Sequence, residues 1–260
     1  MLSLVIIALT AFGVSLLTFF SGFGLGTILL PVFALWFPLE IAVAMTAIVH
    51  LMNNLFKFFL VRKFVNFKVV LSFGVPAIIA AFIGAILLQG LSLNPTHFTY
   101  ELGDRVFDVT LIKLVMALII IFFTLFELIP FLKKLSFSKR FMPIGGALSG
   151  FFGGLSGHQG ALRSAFLSKL DLSKEQFVAT GTVIACLVDL SRLAIYTNRF
   201  HLQGNDHQMT VVSVVVATLA AFAGAYIGSR VLKKITMHIV QNLVSFGLIV
   251  LAVLLGMGII

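Results

Sequence analysis

The sequence predicts an all-α integral membrane protein that forms a single transmembrane domain over residues 1–260. Three observations predict it: apolar tracts long enough to cross a bilayer, two longer tracts interrupted by glycine, and short motifs repeated in the same order in both halves. The composition agrees, since 60% of the residues are hydrophobic, 10% are charged and the mean hydropathy is +1.14. A soluble domain of this size cannot bury so much apolar surface, so lipid must solvate it.

Uninterrupted apolar tracts account for most of the predicted crossings. A membrane-spanning helix needs about 20 mainly apolar residues. Six plain tracts meet this requirement, and each predicts one crossing: residues 39–61, 67–90, 108–132, 173–197, 208–231 and 238–260.

Two further tracts are too long for one crossing and carry helix-opening residues near the middle. Residues 2–36 are interrupted at 21–26 (Ser-Gly-Phe-Gly-Leu-Gly), and residues 141–169 are interrupted at 156–160 (Ser-Gly-His-Gln-Gly). Irregular backbone inside a bilayer is tolerated only where protein or a water-filled cavity surrounds it. Broken helices of this kind mark the substrate site in many transporters.

The two halves of the chain repeat short motifs at nearly constant spacing. Residues 54–57 (Asn-Leu-Phe-Lys) correspond to residues 189–192 (Asp-Leu-Ser-Arg) at an offset of 135, the same offset that relates the two Ser-Gly interruptions. An Ala-Ala-Phe-x-Gly-Ala block at 80–85 recurs at 220–225. The shared order indicates a duplication, with a first repeat of about 1–132 and a second of about 140–260.

The basic residues indicate how the two repeats are oriented. If both broken tracts enter and leave on the same side, each half holds three crossings and the second half is inverted. One side then carries twelve Lys and Arg residues, and the other carries Arg105, Lys113 and Arg199 alone. Eight straight crossings would divide the charges almost evenly, so the positive-inside rule favours re-entrance of residues 141–169. The sequence therefore predicts two inverted repeats, each with one broken or re-entrant helix and three transmembrane helices.

The interruptions predict a binding site for an anion. Gly22, Gly24 and Gly26 permit a tight reversal that leaves backbone N–H groups free. The helices that begin near Thr27 and Ala161 would point their positive ends at the membrane centre, and two opposed helix N-termini bind an anion without a charged side chain. Close helix packing is the simpler interpretation for the regularly spaced glycines Gly146, Gly150, Gly153, Gly154 and Gly157.

Charged and polar side chains distinguish the second interruption. Arg163 would lie deep in the bilayer, where an unpaired charge costs several kcal/mol, so its partner is either an anionic substrate or an acidic side chain such as Asp189. His158 could donate to an oxyanion, carry a proton or serve a structural role.

Two plain tracts carry matching polar faces. His50, Asn54 and Lys57 share one helical face in the first repeat, and Lys57 and Arg192 occupy equivalent positions in the two repeats. Asp189 and Arg192 line the second path or neutralise each other. The predicted substrate-binding residues are Ser21, Gly22, Gly24, Gly26, Thr27, Asn54, Lys57, Ser156, Gly157, His158, Gln159, Gly160, Arg163, Asp189 and Arg192.

Several other function classes do not fit the sequence. No Cys–His or His–Glu spacing indicates zinc, so neither a metal site nor a cofactor is expected. Ser21 and Ser156 precede glycine but lack an assignable general base, which argues against an enzyme. The Lys and Arg residues cluster in short loops between spans, a pattern of membrane topology rather than of nucleic-acid binding.

With these motifs the chain resembles the sulfite exporter TauE/SafE family of bacterial membrane transporters. The resemblance rests on residues 21–26 followed by Pro31, on the glycine run from Gly145 to Gly160 and on the two Ala-Ala-Phe-x-Gly-Ala blocks. It implies transport of a small sulfur-containing anion, such as sulfite, sulfoacetate or another sulfonate, across the cytoplasmic (inner) membrane of a bacterium. Arg163 and Ala165 depart from the glycine cluster and proline common in the family, and Arg163 favours an oxyanion.

The resulting hypothesis is a secondary transporter that moves sulfite or an organosulfonate by alternating access, one half rocking against the other. The expected partners are the anionic substrate and the lipid bilayer, with no nucleic acid. His158 and Asp189 are the groups expected to carry a coupling proton; sodium as the coupling ion and a homodimer stay open. The alternatives are an anion channel and a metal or cation carrier that uses His50, His158 and Asp189.

Overall fold

A computed structural model describes residues 1–19, 24–93, 98–103, 105–129, 131, 137–196, 205–231 and 238–259. Within these ranges, four helices have the length and apolar composition of membrane spans: Leu39–Phe64, Phe67–Leu93, Lys174–Tyr196 and Gln208–Arg230. Each corresponds to one of the predicted plain tracts. Shorter apolar helices occupy Leu2–Leu17, Leu25–Ala34, Leu111–Phe126 and Ser245–Gly256.

The first half of the chain begins with two short helices where the first broken tract was predicted. The break lies between Leu17 and Leu25. The second long helix, Phe67–Leu93, contains a π-helical stretch at Val70–Gly74. The helices of this half are α1 (Leu2–Leu17), α2 (Leu25–Ala34), α3 (Leu39–Val61, continued by a 3₁₀ turn at Arg62–Phe64), α4 (Phe67–Leu93) and α5 (Leu111–Leu128).

The second half repeats this order. Its broken tract forms two helices separated at residues 157–159, as the sequence predicts. A 3₁₀ turn at Lys139–Phe141 precedes them. The helices are α6 (Met142–Ser156), α7 (Gly160–Leu167), α8 (Lys174–Tyr196), α9 (Asn205–Val231) and α10 (His238–Gly256).

The prediction of an all-α fold is wrong at one place, between α4 and α5. Strands β1 (Phe98–Leu102) and β2 (Arg105–Val109) form an antiparallel hairpin whose turn contains Gly103 at φ 63°. Aromatic and β-branched residues are frequent in both strands, and Tyr100 pairs with Phe107 across them, which suits a pleated ribbon. The hairpin also corrects the predicted span 108–132, because Val109 pairs with Phe98 and the helix begins only at Leu111.

Helix packing in one half has a counterpart in the other. Helix α1 packs against α9 and α6 packs against α4, so the first helix of each half lies on the fourth helix of the other. Helices α3 and α8 contact each other, as do α5 and α10. Helix α3 also contacts α9, and α8 contacts α4. Helices α3 and α8, which carry most of the buried polar residues of the long helices, therefore contact each other between the exchanged pairs α1–α9 and α4–α6.

Glycines hold α6 and α4 at backbone contact. A Cβ on Gly146, Gly150 or Gly154 would overlap a carbonyl oxygen of α4, those of Phe73, Ala77 and Ala81 respectively. Small residues permit this approach, and dispersion between the closely packed backbones stabilises it in a bilayer. The interpretation of these three glycines as packing positions is confirmed.

Candidate functional site

The two helix breaks face each other in the middle of the protein. A Cβ placed on Gly26, in the first turn of α2, would lie 3.5 Å from the carbonyl oxygen of Gly157 and 3.7 Å from Cδ2 of His50. Gly157 has a φ of 83° and closes α6 by donating its N–H to the carbonyl of Gly153 at 3.0 Å. Only glycine adopts this left-handed conformation without strain. The N-terminal end of α2 therefore meets the segment that joins α6 to α7.

On the α2 side, the structure describes the first break from Gly24 onward. Gly24 precedes α2 with a φ of 120°, and its carbonyl accepts the N–H of Ile28 at 3.1 Å. Gly26 and Thr27 lie in the first turn and are buried. Ser21 and Gly22, two of the predicted site residues, lie outside the described residues.

The second break places a run of buried polar side chains in the interior. The hydroxyl of Ser156 donates to the carbonyl of Phe152 at 3.0 Å, so it is used within its own helix. His158 Nδ1 lies 3.1 Å from that hydroxyl, and its ring stacks on Phe123 with centroids 5.7 Å apart. His158 Nε2 is buried and, within the described ranges, has no hydrogen-bond partner. Gly160 begins α7.

Asp189 is the centre of a buried hydrogen-bond network. Its Oδ2 lies 2.6 Å from His50 Nδ1 of α3, and its Oδ1 accepts from Arg192 Nη2 at 2.7 Å and from Arg192 Nε at 3.0 Å. Gln159 Nε2 donates to the same oxygen at 3.3 Å. Both Asp189 and Arg192 are 0% exposed. The spacing of three residues on α8 brings the two charges together, as the sequence indicates.

Arg192 also reaches the second break. Its Nη1 is buried and has no hydrogen-bond partner among the described residues. A Cβ on Gly157 would lie 2.7 Å from this nitrogen. The guanidinium therefore binds Asp189 with one edge and presents a free N–H group beside the break.

Arg163 joins the network through Gln159. Its Nη1 donates to Gln159 Oε1 at 3.1 Å, and the amide nitrogen of Gln159 donates to Asp189. All three side chains are at least 98% buried. The i, i+4 spacing of Gln159 and Arg163 around the start of α7 makes this pairing possible. Arg163 is thus held beside the break, where the sequence placed it.

Lys57 lies on the α3 side and is only 5% exposed. Its Nζ sits 5.6 Å from the centroid of the Phe19 ring, a cation–π contact. Within the described part of the chain, no carboxylate pairs with it. Asn54, one turn earlier, donates to the His50 carbonyl at 2.9 Å and lies 3.2 Å from both ring nitrogens of His50.

The cluster carries more positive than negative charge. Lys57, Arg163 and Arg192 are buried cations. Among the described residues, Asp189 is the buried carboxylate of this cluster, and it pairs with Arg192. Buried cations without counter-charges are costly. An anion with several acceptor oxygens would relieve this cost and accept the unused N–H group of Arg192. The arrangement suits a small anion.

Two contacts were not predicted from the sequence. His50 pairs with Asp189 across 139 residues of sequence, and the hydroxyl of Tyr196 donates to the carbonyl of Gly154. The repeat could have pointed to the first contact. The motif match aligns Asp189 with Asn54, the two helices that carry these residues contact each other, and His50 lies one turn from Asn54.

A metal site receives no support from the described residues, among which no three His, Cys, Asp or Glu side chains are placed to hold a metal ion together. The lone Cys186 is buried in α8 and carries no disulfide.

Comparison with known proteins identifies the family. The model of the sulfite exporter TauE/SafE family matches residues 7–255, nearly the whole chain. Neither a curated protein nor a solved structure matches the chain. A match of this extent covers both interruptions, at 21–26 and 156–160, and all the residues of the buried network. The chain therefore belongs to the sulfite exporter TauE/SafE family.

Proposed function

We propose that the protein is a secondary transporter that moves sulfite or an organosulfonate across the cytoplasmic membrane of a bacterium by alternating access. Its family consists of membrane transporters named for sulfite export, and its long apolar helices make it a multi-pass membrane protein. The choice of anion, the mechanism and the membrane are the parts that we add.

The observation that carries the proposal is the excess of buried positive charge where the helix breaks meet. Arg192 Nη1 is a buried donor without a partner among the described residues, and His158 Nε2 is a second buried nitrogen without a partner there. Arg163 and Lys57 bring two further cations to the same region. A sulfur oxyanion offers three oxygens to such a group of donors, and charge-assisted hydrogen bonds of this kind are strong.

The binding site would include the residues named from the sequence. Arg163, Arg192 and His158 would contact the anion directly, while Gln159 and Asp189 hold the two guanidinium groups in place. Lys57 and Asn54 would line the path on the α3 side. Ser21 and Gly22 stay in the proposal as residues of the first break.

The proposed alternating-access movement depends on two inverted repeats. The similar packing of the two halves supports it: the contact of α1 with α9 matches that of α6 with α4, and the contact of α2 with α10 matches that of α7 with α5. Inverted repeats around a fixed central site are the usual basis of alternating access. We infer that the exchanged pairs α1–α9 and α4–α6 move as rigid bodies around the two breaks.

A binding screen tests the proposed substrate. The purified protein should be stabilised against thermal unfolding by sulfite or an organosulfonate more than by carboxylates, because a ligand that binds the folded state raises its stability. Arg163→Ala should remove the stabilisation. Arg140→Ala is the matched control, because Arg140 is exposed and lies over the Phe141 ring. Selective stabilisation by divalent cations would refute the anion site.

Labelling of single cysteines tests the inverted arrangement. In a Cys186→Ser background, a cysteine at Lys169 should react only from the cytoplasmic side and one at Arg105 only from the opposite side. A chain with eight straight crossings would place Lys169 on the extracytoplasmic side and overturn the re-entrant model.

A further inference from the structure

We propose that His50 is a proton-binding site that couples proton transport to anion transport, so that a proton binds and crosses together with each anion. The inference rests on the proposed function, because it concerns the same central site. It assigns the coupling proton to a residue other than His158 and Asp189, the groups that the sequence favours.

The position of His50 is the first argument. The residue is buried at the point where the first turn of α2 approaches Gly157, and its ring lies beside Gly26. It belongs to α3 but bonds to Asp189 of α8, so it joins the two halves of the protein. A change of charge on His50 therefore alters the electrostatic potential at both breaks and at the contact between α3 and α8.

The hydrogen bonds decide where the proton can go. Asp189 accepts from His50, Arg192 and Gln159, so protonating this carboxylate would break at least one of these contacts. Beside the imidazole of His50 lies the Asn54 amide, with Nδ2 3.2 Å from Nε2, and rotation of that amide would present its oxygen to a protonated ring. With Nδ1–H donated to Asp189, the ring can take up a second proton at Nε2 and keep its bond to the carboxylate. His158, the other imidazole of the region, is stacked on Phe123.

The charged groups around His50 determine the sign of the coupling. Helix α8 faces it with Asp189 and Arg192, the segment at the start of α7 brings Arg163 through Gln159, and Lys57 lies seven residues further along α3. Helix α2 faces it with the backbone of Gly26. An anion bound among these groups would favour the protonated form of His50, and a protonated His50 would in turn favour the anion.

Linkage makes this relation reciprocal: an anion that raises proton affinity must bind more tightly when the proton is present. Protonated His50 would also share Asp189 with Arg192 and weaken the hold of the carboxylate on that guanidinium. Arg192 then has more of its donors available beside Gly157. The expected result is co-transport of proton and anion rather than exchange of one for the other.

Proton uptake on binding tests the proposal. Sulfite is added to purified protein in weakly buffered solution near neutral pH, and the protons taken up per bound anion are measured with a pH indicator. Sulfite itself titrates in this range, but that contribution is the same for every variant. We expect the wild type to take up roughly one proton more per bound anion than His50→Gln, which preserves a donor to Asp189 without a titrating ring.

The comparison variant is His158→Gln, which removes the other buried imidazole; it is expected to bind the anion more weakly, so its proton uptake is measured at saturating sulfite. It should take up as many protons per bound anion as the wild type. Loss of the uptake in His158→Gln and its retention in His50→Gln would overturn the assignment. If His50→Gln does not fold, His50→Asn replaces it. A wild type that binds sulfite with no proton uptake beyond what the anion itself requires would overturn the inference whether or not the variants fold.

The same measurements distinguish a failure of the proposed function from a failure of the His50 assignment. If neither sulfite nor any organosulfonate stabilises the wild type, the anion site itself is wrong and the coupling proposal falls with it. If these anions stabilise the wild type and His50→Gln with the same proton uptake, the anion site stands and the role of His50 is wrong. In proteoliposomes, His50→Gln should still exchange anion for anion but should lose accumulation driven by an imposed pH gradient.

Discussion

The guanidinium of Arg192 lies against Gly157, with its Nη1 only 2.7 Å from the position that a Cβ on Gly157 would occupy. The glycine therefore does two things at once. It closes α6 in a left-handed conformation, at φ 83°, and it leaves room for a buried cation beside the backbone. This contact couples the geometry of the second break to the charge of the proposed binding site.

Gly157→Ala should reduce anion binding. The new methyl group would displace Arg192 Nη1 and would strain the left-handed backbone by about 1–2 kcal/mol. We expect a loss of at least tenfold in anion affinity, measured as the concentration that gives half-maximal thermal stabilisation. Gly90→Ala is the control, since nothing lies within 4 Å of a Cβ there and Gly90 is exposed in α4; its affinity should be unchanged.

Lys57→Met should weaken anion binding without lowering the stability of the anion-free protein. Lys57 is a buried cation that no described carboxylate neutralises, so its removal should not lower the stability of the anion-free protein. The anion would lose a charged partner worth about 1.5–3 kcal/mol, which corresponds to a roughly 10- to 100-fold loss of affinity. Lys113→Met, at an exposed lysine that donates to the Asp108 carbonyl, should change neither quantity. A fall in anion-free stability without a fall in affinity would assign Lys57 a structural role.

Asp189→Ala should destabilise the protein strongly. It leaves Arg192 and His50 buried without their shared carboxylate, and breaking a buried pair in this way costs about 3–5 kcal/mol. Adding Arg192→Met should recover part of the loss in the thermal unfolding midpoint, because the second change removes the unpaired charge. The exposed pair of Lys139 and Asp171, at 3.2 Å, provides the comparison, and Asp171→Ala should have little effect. Equal effects of the two aspartate changes would contradict the buried network.

Gly150→Ala should loosen the contact between α6 and α4. The added methyl would overlap the carbonyl oxygen of Ala77, and the two backbones would have to separate. Overpacking of this kind costs about 1–3 kcal/mol, which a lowered unfolding midpoint in detergent would report. Gly247→Ala in α10, where a Cβ meets nothing within 4 Å, is the control and should leave the midpoint unchanged or higher.

Local signals in the sequence predicted the main features of the fold. Glycines inside tracts too long for one crossing located the break after Ser156. The i, i+3 spacing on α8 offered the contact of Asp189 with Arg192 as one of two alternatives, and the structure shows that contact. The β-hairpin was not predicted because its strands are only five residues long and adjoin an apolar tract that continues into α5. The pairing of His50 with Asp189 depends on how α3 and α8 are rotated against each other, which no spacing within either helix records.

The exchange of first helices between the halves has a consequence for biosynthesis. Helix α1 ends at Leu17, and its main packing partner α9 begins at Asn205. Helix α1 therefore lacks this partner until most of the chain has been synthesised. Helix α4 likewise completes its contacts only when the glycine face of α6 has emerged. Neither half can therefore mature alone. Two separately encoded halves should yield a functional transporter only when they are inserted into the same membrane together.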